Sequence, residues 1–196
     1  MQTIIRVWPK AIVFLFILLG MGCTSAPTRE EARISDVKVD ATLAHLQQTV
    51  KGASNLLHRA KGVLVFPGIL EAAFWGGAEY GGDGALRIGG RTVDYYNIAA
   101  LSFGAQFGAQ QKDVVFLFMD SNALQDFRKS AGWTVGLDGK VTLVAVGAEG
   151  SISSQTYNEP ILAFVVDQKG LIAGVSLEGA KITKRDSPVG GTSGSR

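Results

Sequence analysis

Residues 72–86 read AAFWGGAEYGGDGAL and place five glycines within fifteen positions. Such a stretch is typical of two structures: a glycine-rich loop that binds a phosphate, or a strand whose glycines let a neighbour pack closely. In an extended chain Phe74 and Tyr80 fall on one face and Glu79 falls on the other, and this alternation favours the strand. The glycine-rich residues 81–84 then predict a turn, after which the chain returns as the second strand of a hairpin.

No phosphate-binding motif is found in this stretch. Its glycines do not follow the pattern G-x-x-x-x-G-K-[ST], and no G-x-G-x-x-G precedes a helix. Two later stretches, GAQFG at 104–108 and GAEG at 147–150, resemble GAEYG at 77–81 at unequal intervals. Several strands are therefore expected to use glycine so that a second layer can approach the backbone closely.

The rest of the chain is predicted to be mostly strands. Apolar or alternating runs lie at 62–67, 101–109, 114–119, 141–146, 161–166 and 171–177. Pro67 is expected to stop the first of them. One short helix interrupts the series after the N-capping residue Asp120, with Leu124 and Phe127 facing inward. The predicted fold class is α+β: a strand-rich antiparallel sheet or barrel-like core packed with an N-terminal amphipathic helix and one short helix.

The predicted N-terminal amphipathic helix covers residues 36–59. Its apolar stripe is expected to pack on the core and comprises Val39, Leu43, Leu46, Val50, Ala53 and Leu57. Basic residues gather toward its C-terminal end: Lys51, His58, Arg59 and Lys61. Two interpretations of these cations stay open. They complement the carbonyl end of the helix, or they bind anionic lipid. Asp36 and Asp40 at the other end of the helix argue against the second interpretation.

The N-terminus carries a predicted signal peptide at residues 1–22. Arg6 and Lys10 precede the apolar run AIVFLFILL at 11–19, which is too short for a membrane-spanning helix of about 20 residues. The small residues before Cys23 resemble the lipobox of bacterial lipoproteins, in which the thiol is acylated, for example with palmitate, and becomes the new N-terminus. The alternative is an ordinary secretory signal with an incidental cysteine.

The predicted organisation has four parts. The signal peptide at 1–22 is followed by an acylated N-terminus and tether at 23–35, one domain at 36–183 and a flexible tail at 184–196. Cys23 is the only cysteine, so neither an intramolecular disulfide nor a cysteine-based metal site can form.

Charge argues against nucleic acid as a partner. The chain has 19 basic and 17 acidic residues, and two of the basic residues, Arg6 and Lys10, leave with the signal peptide. The processed chain then carries 17 of each sign, without the net positive field that nucleic-acid binding requires.

The sequence contains no clear catalytic or metal-binding arrangement. The only two histidines, His45 and His58, lie about 140° apart around the predicted helix, so they do not converge. No G-x-S-x-G occurs, since GVSLEG at 174–179 has the wrong spacing. The chain is predicted to be no enzyme and to hold no metal or cofactor, although a carboxylate pair such as Glu71 and Glu79 stays open.

Four stretches together resemble one family, the SYLF lipid-binding domain, and most closely its bacterial lipoprotein members. They are AKGVLVFP at 60–67, FWGGAEYGGDGAL at 74–86, YYNIAALSFGAQFGAQ at 95–110 and VVFLFMDSNALQDFRKSAGWTVGLDGKVTLV at 114–144. The resemblance covers residues 36–182 and implies a strand-rich α+β domain that meets membranes. Eukaryotic members bind phosphoinositides through an N-terminal amphipathic helix and a basic surface, and some bind actin.

Carried to this chain, the resemblance implies lipid head-group contacts at Lys51, Arg59 and Lys61. The sequence departs from the Trp-Ser-x-Pro motif of eukaryotic members, because residues 95–98 read YYNI. We therefore expect a membrane-anchored bacterial lipoprotein with a non-catalytic phospholipid-binding domain that favours anionic head groups. Thr24, rather than Asp, follows the cysteine and favours the outer membrane facing the periplasm. The alternative is an interaction lipoprotein whose sheet docks a protein partner while the acyl chains alone provide membrane attachment.

Overall fold

The computed structural model describes residues 27–74, 77–102, 108–144, 158–167, 170–171 and 176–186. Within these residues the helices are α1 (Arg29–Thr49), α2 (Ala53–Arg59) and α3 (Ser121–Lys129). The strands are β1 (Gly62–Phe74), β2 (Gly77–Ile88), β3 (Arg91–Ser102), β4 (Gly108–Phe118), β5 (Gly132–Thr134), β6 (Thr142–Leu143), β7 (Ile161–Asp167), β8 (Gly170–Leu171) and β9 (Lys181–Lys184). The predicted signal peptide, Cys23, Trp75, the repeated glycines at 104–107 and 147–150, and the predicted tail beyond 186 lie outside the described residues.

The strands form one curled sheet that resembles half of a barrel. Their order is β5-β9-β3-β2-β1-β4-β7-β6, and β8 pairs with β7 beside this path. All pairs are antiparallel except β6 with β7. A parallel neighbour requires a crossover of about a dozen residues or more, and residues 144–160 separate these two strands. The predicted α+β class with an antiparallel sheet and N-terminal helix is confirmed.

Each face of the sheet buries its own core. The helical face, covered by α1 and α2, buries side chains such as Val65, Val115 and Phe164. The opposite face, which we call the α3 face, buries an aromatic cluster around Phe127 of α3. The Phe127 ring centroid lies 4.9 Å from those of Tyr96 and Phe118 and 5.5 Å from that of Trp133. Side chains of β1 alternate between the two cores, as a strand buried on both faces requires.

The predicted N-terminal helix is two helices in the structure. The first, α1, begins at Arg29 because Thr28 and Glu31 form a reciprocal capping box. Gly52, with φ 92°, separates it from α2 in a left-handed conformation that suits glycine. The predicted stripe does pack on the core: Val39, Leu46, Val50 and Ala53 are buried, and Leu43 and Leu57 pack against them.

The glycine-rich stretch is a strand, but its predicted hairpin tip is wrong. Residues 81–84 lie in the middle of β2, where Gly81 pairs with Leu70 and Ala99. β1 also continues past Pro67 through a bulge, so β1 and β2 pair as far as Phe74 and Gly77.

The reason for glycine at position 84 is close packing across the sheet. A Cβ there would overlap the Val65 carbonyl oxygen and the Phe66 ring, both on the neighbouring strand β1. Glycine at position 84 does permit close packing, but to a neighbouring strand of the same sheet rather than to the second layer that the sequence predicted. The turn that joins β2 to β3 lies at Gly89 and Gly90, with φ 59° and 78°.

Candidate functional site

The candidate site lies where α2 ends, β1 begins and β4 ends. The amide of Lys61 donates to the Phe118 carbonyl at 2.8 Å, which fixes the start of β1 beside the end of β4. The amide of Met119 donates to the Pro160 carbonyl at 2.8 Å, and the amide of Ala60 closes α2 on the Leu56 carbonyl at 3.0 Å. Backbone hydrogen bonds therefore hold all the segments that form this corner.

A cleft of about 280 Å³ opens at this corner. It is lined by His58, Arg59, Lys61 and Met119. The three basic side chains are exposed, whereas Met119 is half-buried and packs against the helical-face core. The cleft thus has cationic and imidazole donors at its rim and an apolar contact at its base, a combination suited to a small anion attached to an apolar group.

The structure brings two of the three predicted head-group residues together. Arg59 and Lys61 line the cleft, but Lys51 lies before α2 and does not. Arg59 is the last of the seven residues of α2, which is about 10 Å long, and Lys51 lies two residues before its start. The prediction omitted His58, although its position next to Arg59 in the sequence was the available signal.

The acidic residues of α1 are used to dock the helix. Arg87 of β2 pairs with the Asp40 carboxylate and donates to the Asp36 carbonyl at 3.2 Å. Thr92 of β3 donates to the Asp36 carboxylate at 2.7 Å. Asp36 and Asp40, which argued against a lipid-binding helix at the sequence level, therefore have their charge partly neutralised by an arginine of the sheet.

A second charged cluster lies on the α3 face of the sheet. Asp94, whose side chain is 8% exposed, accepts from Nε of Arg128 at 3.1 Å and from Nζ of Lys184 at 2.7 Å. Lys184 was predicted to begin the flexible tail, but it is the last residue of β9 and pairs with Tyr96. The cluster joins β3, α3 and β9, and its carboxylate is already occupied by two cations.

The hydroxyl of Tyr96 is buried beside this cluster and has no hydrogen-bond partner among the described residues. Burial of the side chain, and then the charge of Asp94, raise the pKa of Tyr96 above its ordinary value of about 10. The folded protein therefore favours the neutral phenol form of Tyr96.

We expect Tyr96→Phe to leave the free energy of unfolding at neutral pH unchanged or to increase it by about 1 kcal/mol, because it removes an unsatisfied buried hydroxyl. Above pH ~10 the unfolded chain loses the Tyr96 proton while the folded chain keeps it, so wild-type stability falls as pH rises. The variant should show a shallower fall in urea unfolding between pH 9 and 11.

Tyr95→Phe is the matched control for this prediction. Burial, and then the Asp36 carboxylate, also raise the pKa of Tyr95, but its side chain is only half-buried. Tyr95→Phe should reduce the fall in stability between pH 9 and 11 less than Tyr96→Phe does. Equal alkaline slopes for the wild type and Tyr96→Phe would show that Tyr96 ionises normally.

The described residues contain neither a metal-ligand cluster nor a membrane-spanning helix. No three His, Cys, Asp or Glu side chains come together as a metal site requires. None of the helices in this part of the chain is both long enough and apolar enough to cross a membrane.

Comparison with protein families gives a match in the second half of the chain. Residues 99–188 match the family model described as Ysc84, Las17-binding protein actin regulator. This match covers 90 of the 196 residues and supports the resemblance to the SYLF family. The SYLF segment runs from the end of β3 past β9, and it includes β4 and α3. The family's functions are of the lipid-binding or actin-regulating type. No curated protein matches the chain.

The SYLF segment does not include most of the candidate cleft. His58, Arg59 and Lys61 precede residue 99, and only Met119 lies inside the matched range. The segment supplies β4, with the end against which the cleft forms, and the strands that follow β4.

Proposed function

We propose that this chain is a membrane-anchored bacterial lipoprotein whose domain binds phospholipid without catalysis and favours anionic head groups. The observation that carries the proposal is the cleft with His58, Arg59 and Lys61 at its rim. Three basic side chains within four positions provide the positive potential that anionic lipid requires, about 1 kcal/mol for each Lys or Arg near the surface. The lipid-binding functions of the SYLF family support the same conclusion.

The proposed anchor is Cys23, acylated after removal of residues 1–22, in the outer membrane facing the periplasm. A single acyl chain gives only marginal membrane binding, whereas two chains anchor stably. Four residues separate Cys23 from Thr28, the N-cap of α1, and the five Cα–Cα steps between the two span at most about 18 Å. The domain would therefore stay next to the membrane, where even weak head-group contacts are effective.

Flotation with liposomes tests the domain without its anchor. Residues 24–196 should float with phosphatidylglycerol vesicles at low salt and much less with phosphatidylcholine vesicles. The double variant Arg59→Ala, Lys61→Ala should bind about 30-fold more weakly, since two charges contribute about 2 kcal/mol. Circular dichroism checks that the variant is folded.

Lys51→Ala is the control, because it removes one positive charge outside the cleft. It should weaken vesicle binding far less than the double variant. Equal capture by anionic and neutral vesicles would refute the head-group preference, and absence of capture by either would refute lipid binding by the domain.

A protein partner is the second candidate. The description of the matching family as a Las17-binding protein actin regulator supports a docking function for the sheet. On this alternative the acyl chains alone provide membrane attachment. It predicts that residues 24–196 remain unbound by every vesicle, while the acylated chain stays in the membrane.

A further inference from the structure

We infer that the side chains of Ser130 and Asp138 seal the outer edge of β5 and so prevent the sheet from pairing with a second copy of this chain. Among the described residues, β5 is the last strand at one end of the sheet. A strand in that position presents backbone N–H and C=O groups with which a strand of another molecule can pair. Such pairing is independent of any lipid that the domain binds.

The backbone groups of β5 alternate between its neighbour β9 and the outside of the sheet. Val135 follows β5 directly, and its amide donates to the Ala180 carbonyl at 2.9 Å, just before β9 begins. The Val135 carbonyl accepts from the Gly179 amide at 3.0 Å, so both groups face the β9 side. Successive residues of an extended strand direct these groups to opposite sides. The amides and carbonyls of Gly132 and Thr134 therefore point away from β9.

Three of these outward groups are already bonded within the chain. The Ser130 hydroxyl donates to the Gly132 carbonyl at 2.7 Å. The Thr134 amide donates to Oδ2 of Asp138 at 2.6 Å. The amides of Leu137 and Asp138 donate to the Thr134 carbonyl at 3.2 and 3.0 Å. An incoming strand would have to break such bonds before it could form its own.

The turn after β5 holds the Asp138 carboxylate over this edge. The Gly136 amide donates to the Gly139 carbonyl at 3.0 Å and closes the turn. Position 139 leaves no room for a side chain, since a Cβ there would lie 2.6 Å from the Trp133 ring. The turn therefore packs against its own strand, and the carboxylate is fixed where the Thr134 amide needs an acceptor.

The two sealing side chains form local hydrogen bonds only. These bonds span two and four residues and stay between the end of α3 and the turn after β5. By contrast, Asp113 accepts from Thr42 of α1 at 2.8 Å and from the Gly68 amide at 2.7 Å, so it ties a helix to the sheet. Substitutions without such tertiary contacts usually change stability little. Removal of the Ser130 and Asp138 side chains should therefore open the edge and leave the fold intact.

Sedimentation equilibrium of the full chain in a density-matched nonionic detergent measures self-association. The double variant Ser130→Ala, Asp138→Ala should raise the association constant at least about tenfold, because each copy gains a free backbone acceptor and a free donor. Hydrogen exchange at the Thr134 amide should slow as the protein concentration rises, which places the contact at β5. Circular dichroism checks the fold. Each single variant should show a smaller rise and provides the same test if the double variant does not fold.

Two double variants serve as controls, and both should associate as weakly as the wild type. Ser130→Thr, Asp138→Asn keeps a hydroxyl donor and a side-chain acceptor but removes the same charge as Asp138→Ala. Thr49→Ala, Asp120→Ala removes one hydroxyl and one carboxylate away from β5. That hydroxyl donates to the His45 carbonyl at 2.8 Å, and that carboxylate accepts from two amides of α3.

Three results would overturn the inference. The first is association of Ser130→Ala, Asp138→Ala no stronger than that of the wild type. The second is an equal rise in either control, which would assign the association to lost charge or to lost stability. The third is stronger association without slower exchange at Thr134, which would place the contact between copies elsewhere on the chain.

Discussion

Gly84→Ala should lower the free energy of unfolding by about 3 kcal/mol, because overpacking a tight interior position costs about 1–3 kcal/mol or more. The added methyl group would overlap both the Phe66 ring and the Val65 carbonyl oxygen. A ring can rotate away, but the carbonyl belongs to the β1 backbone at the point where β1 pairs with β2. Relief would therefore require the two strands to separate.

Gly82→Ala is the matched control in the same strand. A Cβ at position 82 would meet Cα and Cγ1 of Ile69 at 3.4 Å, which is ordinary van der Waals contact. We expect a change within about 1 kcal/mol, and a gain is possible because alanine reduces the freedom of the unfolded chain. Urea unfolding of both variants at constant m-value measures the difference. Equal stability of the two variants would show that β1 moves aside freely.

The local sequence of residues 72–86 indicated the strand but not the reason for its glycines. Alternation correctly identified a strand, because side-chain period is a local property. The glycines at 81–84 were interpreted as a turn because turn chemistry is the commonest local use of glycine. The need for glycine at position 84 depends on Val65 and Phe66 of β1, which only strand pairing brings next to β2.

For the N-terminal helix, the sequence likewise predicted the buried side chains correctly but not the start of the helix or its break. Helical spacing correctly predicted which side chains of α1 and α2 are buried, since the stripe is defined by local periodicity. The true start had a sequence signal that the prediction did not use, Thr28-x-x-Glu31, which is a capping-box pattern. The break at Gly52 was also visible as a glycine inside the pattern.

The sequence predicted only those residues of the candidate site that are close together in the chain. Arg59 and Lys61 are close in sequence, so local proximity carried them to the same cleft. Lys51 was grouped with them because a single continuous helix was assumed, and the break before α2 separates it. Met119 comes from the distant end of β4, and nothing local indicates that it meets α2.

The Asp94 cluster is the clearest case of structure without a local signal, and its disruption should have a large effect. Asp94→Ala should lower the free energy of unfolding by about 3 kcal/mol, because removing one partner of a buried ion pair costs about 3–5 kcal/mol. The lower end applies because Arg128 and Lys184 are 42% and 37% exposed, so water still solvates them. The loss would also loosen β9, whose last residue is Lys184.

Two variants make the Asp94 prediction specific. Asp94→Asn keeps the shape and removes the charge, so a loss similar to that of Asp94→Ala assigns the effect to the ion pairs. Lys140→Ala breaks the Lys140–Glu159 pair at 3.3 Å, in which the lysine side chain is 76% exposed, and it should cost less than about 1 kcal/mol. If urea unfolding gives Asp94→Ala and Lys140→Ala the same stability, the buried carboxylate does not hold β3, α3 and β9 together.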